Sequence, residues 1–154
     1  GGGIPNGKEF LMAQVGGSAG GCLPASLLDV RLDLESLREV DGSLGSGALL
    51  IVDDSRSVLD VVRSCMKFFE HESCGKCTLC REGTARLARL VDKIAEGQAN
   101  TEDLKLLERL SRIMERTCLC GLGQAAPKPI LTTLKYFKDE YLIRVSDQAT
   151  PKGA

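Results

Sequence analysis

The sequence predicts an α+β chain, with strands gathered in its first third and helices after them. Two short apolar runs set among Gly-rich loops, Phe10–Val15 (FLMAQV) and residues 48–52 (ALLIV), read as strands. From residue 55 onward, apolar side chains recur at helical spacing in four successive stretches. The expected division is a strand-bearing segment and linker strand over 1–52, a helical domain over 53–145 and a disordered tail over 146–154.

Within the first segment, Ile4-Pro5-Asn6-Gly7 is a turn signal, followed by the strand at Phe10–Val15. Residues 15–21 (VGGSAGG) form a loop, and Cys22-Leu23-Pro24 leads out of it. Residues 37–40 read as a weak helical turn or loop, and 41–47 (DGSLGSG) as a second Gly-rich loop. Residues 48–52 are expected to be a short buried strand, ended by Asp53-Asp54.

The helical domain begins with Ser55 as a cap. Its first helix runs to Phe69, with Val58, Leu59, Val61, Val62, Cys65, Met66 and Phe69 on one stripe. A second runs from Thr78 or Arg81 to Glu96, carrying Leu87, Leu90, Val91 and Ile94, and Gly97 stops it. The third follows Thr101 as N-cap, with Glu102 and Asp103 in its first turn and Leu104, Leu107, Leu110 and Met114 inward. The fourth starts near Pro127, with Ile130, Leu131, Leu134 and Phe137 inward. Four short striped helices with brief connections predict a four-helix bundle.

Composition narrows the function. The chain has 154 residues, 43% of them hydrophobic, enough for one medium domain, or a small domain and part of another. A net charge of −1 gives no basic excess to neutralise phosphates, and two Tyr, four Phe and no Trp leave few stacking platforms, so nucleic acid is not an expected partner. The longest apolar run is strand-sized, so membrane insertion is not expected either. Seven cysteines, an odd and bunched set without an export signal, point to a reduced, cytoplasmic setting and to metal or redox chemistry.

The bunching is tightest in residues 71–83, HESCGKCTLCREG. Cys74, Cys77 and Cys80 stand three positions apart, so one loop can wrap three corners of an iron–sulfur cube. Structural zinc sites instead join two separated knuckles. The fourth ligand is expected in residues 117–123 (TCLCGLG), where Cys118 and Cys120 both qualify. Cys120 is favoured, because Gly121 and Gly123 let its backbone approach closely, whereas Cys118 can point into the bundle. The surroundings suit an anionic cluster: a helix starts near Cys80, Lys76 and Arg81 flank the thiols, and Gly75 and Gly83 leave room for N–H···S bonds. The competing readings are a zinc-stabilised helical module that joins subunits, and a free-thiolate enzyme with Cys77 attacking.

Residues 72–84, from Glu72 through Cys74, Cys77 and Cys80 to Arg81, Glu82, Gly83 and Thr84, resemble the cluster motif of the flavoprotein subunit of NADH:quinone oxidoreductase (respiratory complex I). The same motif occurs in diaphorase subunits of NAD(P)-linked hydrogenases and formate dehydrogenases. Leu79 stands where that family commonly has Pro. The family's fourth cysteine matches Cys120 in Cys120-Gly121-Leu122-Gly123-Gln124, and this wording is nearer the hydrogenase and formate dehydrogenase branch. Residues 15–24 and 45–48 resemble the family's β-grasp (soluble-ligand-binding) domain and its link to the helical domain, so the resemblance runs over residues 1–144.

The resemblance implies a partial β-grasp segment followed by a [4Fe–4S] domain with Cys74, Cys77, Cys80 and Cys120 as ligands. It implies an electron relay within an NADH dehydrogenase or diaphorase-type oxidoreductase. Electrons would come from FMN, reduced by NAD(P)H on an upstream domain of the same subunit, and leave to iron–sulfur subunits of the complex. The segment that binds FMN and NADH in the family has no counterpart here, so this stretch alone is not expected to oxidise NADH. Neither 16–21 (GGSAGG) nor DGSLGSG fits a phosphate loop. Cys22 and Cys65 are expected in the core. His71 is expected as a helix-terminal charge or a donor to a ligand, and Glu70, Glu72 and Glu82 as an acidic rim.

Overall fold

The strand at Phe10–Val15 (β1) is central in its sheet, with Gly21–Pro24 (β2) and Leu49–Asp53 (β3) antiparallel on either side. The computed structural model describes residues 2–146; the predicted tail falls outside them except for Ser146. Alternation along β1 splits its side chains between two cores. Met12 joins Cys22 and Val52 against the helices, and Gln14 Nε2 donates to Cys65 Sγ on a helix at 3.2 Å. Ala13 and Val15 point the other way, with Leu23 and with Leu37 of the short helix Leu34–Glu39 (α1).

Residues 48–52 are not the buried strand that their apolar run predicts. Leu49, Leu50 and Ile51 are 50%, 50% and 45% exposed, and only Val52 is buried. β3 is an edge strand, and its apolar residues are half-exposed on both faces, Leu49 and Ile51 on the side of Val15 and Ala13 and Leu50 on the side of Gln14.

The helices follow at Val58–Glu72 (α2), Thr78–Ala95 (α3) and Thr101–Thr117 (α4). Their stripes interleave in one core that includes Val62, Met66, Phe69, Leu87, Val91, Ile94, Leu107 and Met114. Partly exposed ion pairs tie neighbours: Arg63 to Asp92 at 2.7 Å between α2 and α3, and Lys93 to Asp103 at 2.6 Å between α3 and α4. Two helix starts differ from expectation by one or two residues. Ser55 does not cap α2; its N–H and hydroxyl bond the Asp53 carboxylate, and Ser57 is the N-cap. Asn100, not Thr101, caps α4, in a reciprocal box with Asp103.

The predicted fourth helix is three pieces: Gly121–Ala125 (α5), Lys128–Tyr136 (α6) and Lys138–Leu142 (α7). Phe137, at φ −131° and ψ 38°, breaks α6 from α7. α6 packs against β2, where the Thr132 hydroxyl accepts from the Cys22 N–H at 3.0 Å. Tyr141 of α7 is fully buried and shares a 2.6 Å hydrogen bond with Thr133. A short parallel pairing of Ala99–Asn100 (β4) with Val145–Ser146 (β5) closes the chain, so Ser146 is paired rather than part of a tail. No helix of the described residues is long and apolar enough to cross a membrane.

Candidate metal centre

Two chain segments bring the thiols together. The first is the loop 73–77 between α2 and α3. Ser73 ends α2, its N–H donating to the Phe69 carbonyl at 3.1 Å, and Gly75 turns the chain at φ +74°, a conformation that favours glycine. Arg81 Nη1 donates to the Gly75 carbonyl at 2.6 Å and pins the loop over the start of α3. Cys77 is the N-cap of α3 and Cys80 is its third residue, buried beneath the loop. The Thr84 hydroxyl bonds the Cys80 carbonyl at 2.9 Å.

The second segment is the step from α4 to α5. Cys118 caps the C-terminus of α4 and is buried; Leu119 is 80% exposed; Cys120 is exposed and is the N-cap of α5. Gln124 Nε2 holds the Cys118 carbonyl at 2.8 Å. Gly123 lies where the two segments meet. A Cβ there would stand 2.8 Å from Cys118 Cβ, 2.9 Å from Cys118 Sγ and 3.3 Å from Cys80 Cβ.

Cys77, Cys80, Cys118 and Cys120 therefore form one group, close enough that charge on one is felt at another. Burial pushes the Cys80 thiol up, and the neighbouring Cys77 and Cys120 add to the rise; a hydrogen bond with Ser73 opposes it. Burial, with charge on Cys80, Cys77 and Cys120, pushes the Cys118 thiol up to about 11. Cys120 moves the opposite way, because the N–H groups of Gly123 and Leu122 bond its sulfur and favour the thiolate. Cys74 lies on the loop and is exposed.

The donors are all sulfur, which suits soft metals and iron–sulfur clusters. Among the described residues no three His, Cys, Asp or Glu side chains converge as ligands of one ion. Ligands of a cube spread more widely, since each thiolate binds a different iron.

Of the other residues singled out in the sequence, Cys22 and Cys65 lie in the core, as expected. His71, Glu70, Glu72 and Glu82 are exposed, and Glu82 accepts from Arg81 Nε at 3.0 Å. Sequence reasoning missed Ser73, Gln124 and the role of Gly123. Ser73 sits within the cysteine motif, but its contact with Cys80 depends on how the loop folds back.

The family described as NADH-ubiquinone oxidoreductase-F iron-sulfur binding region matches residues 60–144. NADP-reducing hydrogenase subunit HndC of Solidesulfovibrio fructosivorans is 42% identical, over 98% of this chain and 31% of its own length. An NADH-quinone oxidoreductase subunit of Rhizobium meliloti (strain 1021) is 35% identical, over 99% of this chain and 36% of its own. The crystal structure of an NAD+-reducing [NiFe]-hydrogenase in the H2-reduced state superposes with a TM-score of 0.82 at 30% identity, covering 91% of this chain and 24% of that one. The chain thus spans about a third of the length of the curated relatives it matches. With more than half of its residues matched, the chain belongs to the NADH-ubiquinone oxidoreductase-F iron-sulfur binding region family.

Proposed function

We propose that Cys74, Cys77, Cys80 and Cys120 hold a [4Fe–4S] cluster, and that the chain is an electron-relay module of an NAD(P)H-dependent oxidoreductase. The observation that carries this reading is the meeting of the α3 start with the α5 start, which sets Cys77 and Cys80 beside Cys120. Cys74 completes the set from the exposed loop, three residues before Cys77.

When bound, such a cluster supplies a one-electron redox couple. The residues around it fix its surroundings. With Cys80 bound as a thiolate, Ser73 would donate to it, and the N–H groups of Leu122 and Gly123 would favour the thiolate of Cys120, so added negative charge would be stabilised at both. Burial of Cys80 excludes water on the inner side. Exposure of Cys74 and Cys120 leaves the outer side open to a donor or acceptor.

The relatives are subunits of a hydrogenase that reduces NADP and of NADH-quinone oxidoreductase. On that basis we assign the electron donor as FMN, reduced by NAD(P)H on another part of the same subunit, and the acceptors as clusters of neighbouring iron–sulfur subunits. We read the sheet and α1 as part of a β-grasp domain, supported by its antiparallel order. We read α2, α3, α4 and α6 as a four-helix bundle over 53–145, supported by their shared core.

The test is metal and sulfide analysis of protein purified without oxygen, with EPR after dithionite. About four iron and four sulfide per chain with a reduced-cluster signal are expected. One zinc and no sulfide would replace the relay with a structural module.

A further inference from the structure

Assigning Cys120 as the fourth ligand leaves one thiol at the site without a task. Cys118 is 4% exposed, and among the described residues its thiol has no hydrogen-bond partner. Cys65 in the core differs in this respect, since Gln14 donates to its Sγ at 3.2 Å.

Cys118 also points toward the site. Its Sγ and Cys80 Cβ both lie within 3.3 Å of the point where a Gly123 side chain would begin. Gly123 sits inside α5 in a backbone conformation open to any residue, so the missing Cβ serves space, and Cys118 fills that space. Its backbone is held on both sides: the N–H donates to the Met114 carbonyl at 3.1 Å, and the carbonyl accepts from Gln124 at 2.8 Å. A buried, unpartnered thiol is thus held beside a proposed ligand, two positions from another.

We propose that Cys118 is a reserve ligand, which takes over the iron held by Cys120 when Cys120 is lost or displaced. This rests on the reading of Cys120 as the native fourth ligand. The exchange involves no redox change. The iron–Cys120 bond breaks and an iron–Cys118 bond forms, while the Cys118 proton passes to the departing Cys120 thiolate. With Cys120 in place, its exposure favours it over the buried neighbour.

The experiment compares Cys120→Ala, Cys118→Ala and the double variant, each as the full chain purified without oxygen. Iron, sulfide and the dithionite-reduced EPR spectrum are measured, with far-UV circular dichroism to check folding. Cys120→Ala is expected to keep about four iron with shifted g values, Cys118→Ala to look native, and the double variant to fall to about three iron or fewer. Cys118→Val replaces Cys118→Ala if the smaller side chain costs helical signal. Equal loss in Cys120→Ala and the double variant, with Cys118→Ala native, overturns the reserve role and leaves Cys120 as ligand. Cluster loss in Cys118→Ala alone, with Cys120→Ala native, overturns instead the assignment of Cys120.

Discussion

Ser73 Oγ lies 3.3 Å from Cys80 Sγ, joining the first residue of the cysteine loop to the first turn of α3. With Cys80 as a thiolate, Ser73 is the donor. A hydrogen bond to a ligand sulfur stabilises the reduced, more negative state. Ser73→Ala is therefore expected to lower the midpoint potential by about 40 mV, the one-electron equivalent of about 1 kcal/mol. Ser73→Thr should restore most of it. EPR-monitored redox titration reads both, and an unchanged potential in Ser73→Ala would show that the hydroxyl does not donate.

Alkaline pH should weaken the fold through Cys22. Burial, with charge on Cys65 adding to it, pushes the Cys22 thiol from 9.0 to about 12. Between these values the unfolded chain gives up a proton that the folded chain keeps. Stability from this group is whole below pH 9 and is lost as pH rises toward 12. The expected loss is about 2–3 kcal/mol by pH 11. Urea unfolding between pH 7 and 11 should show it. Cys22→Ala should flatten the fall while costing about 1–2 kcal/mol at pH 7 through lost packing.

Gly16 and Gly45 pack backbone to backbone. A Cβ on Gly16 would meet the Ser43 carbonyl oxygen at 2.3 Å, and one on Gly45 the Gly16 oxygen at 2.4 Å, while both residues have positive φ. Gly47 also has positive φ, at +77°, but open space around it. Gly47→Ala should cost only the conformational strain, about 1–2 kcal/mol. Gly16→Ala and Gly45→Ala should each cost more, about 3 kcal/mol, since backbone must also move. Equal melting temperatures for the three variants would contradict this.

The exposed apolar residues of β3 predict self-association. Leu49, Leu50 and Ile51 present apolar side chains on an edge strand. Ile51→Lys is expected to move the chain toward monomer in sedimentation velocity without lowering its stability by more than about 1 kcal/mol. A wild-type chain that stays monomeric at high concentration would rule the effect out.

Much of the helical part was legible, because the stripes of α2, α3 and α4 are long enough to fix the period. Gly97, at φ +69°, ends α3 where its sequence position indicated. Helix starts were less legible. Ser55 and Ser57 both suit a cap, and only the turn at Asp53 decides between them. β2 is four residues ending in Pro24, too short for propensity to reveal, and it exists through pairing with β1. The exposure of 49–51 depends on what covers an edge, which local pattern does not record. At the site, the cysteine spacing carried the chemistry. The contact of Gly123 with Cys118 and Cys80 joins segments about 40 residues apart, and no sequence signal distinguishes it from an ordinary helical glycine.

Cys120 caps α5 and the other three proposed ligands precede or open α3, so α3 and α4 lie between the two groups. A cluster bound by all four would close a loop of about 40 residues, a cross-link whose removal frees chain entropy as a cut disulfide does. Its binding free energy then becomes folding free energy. Oxidative loss of iron would release the α4–α5 junction as well as interrupt electron flow, exposing Cys118, Leu122 and their apolar neighbours. Cofactor damage would thereby become visible as misfolding, a signal that proteolysis can act upon.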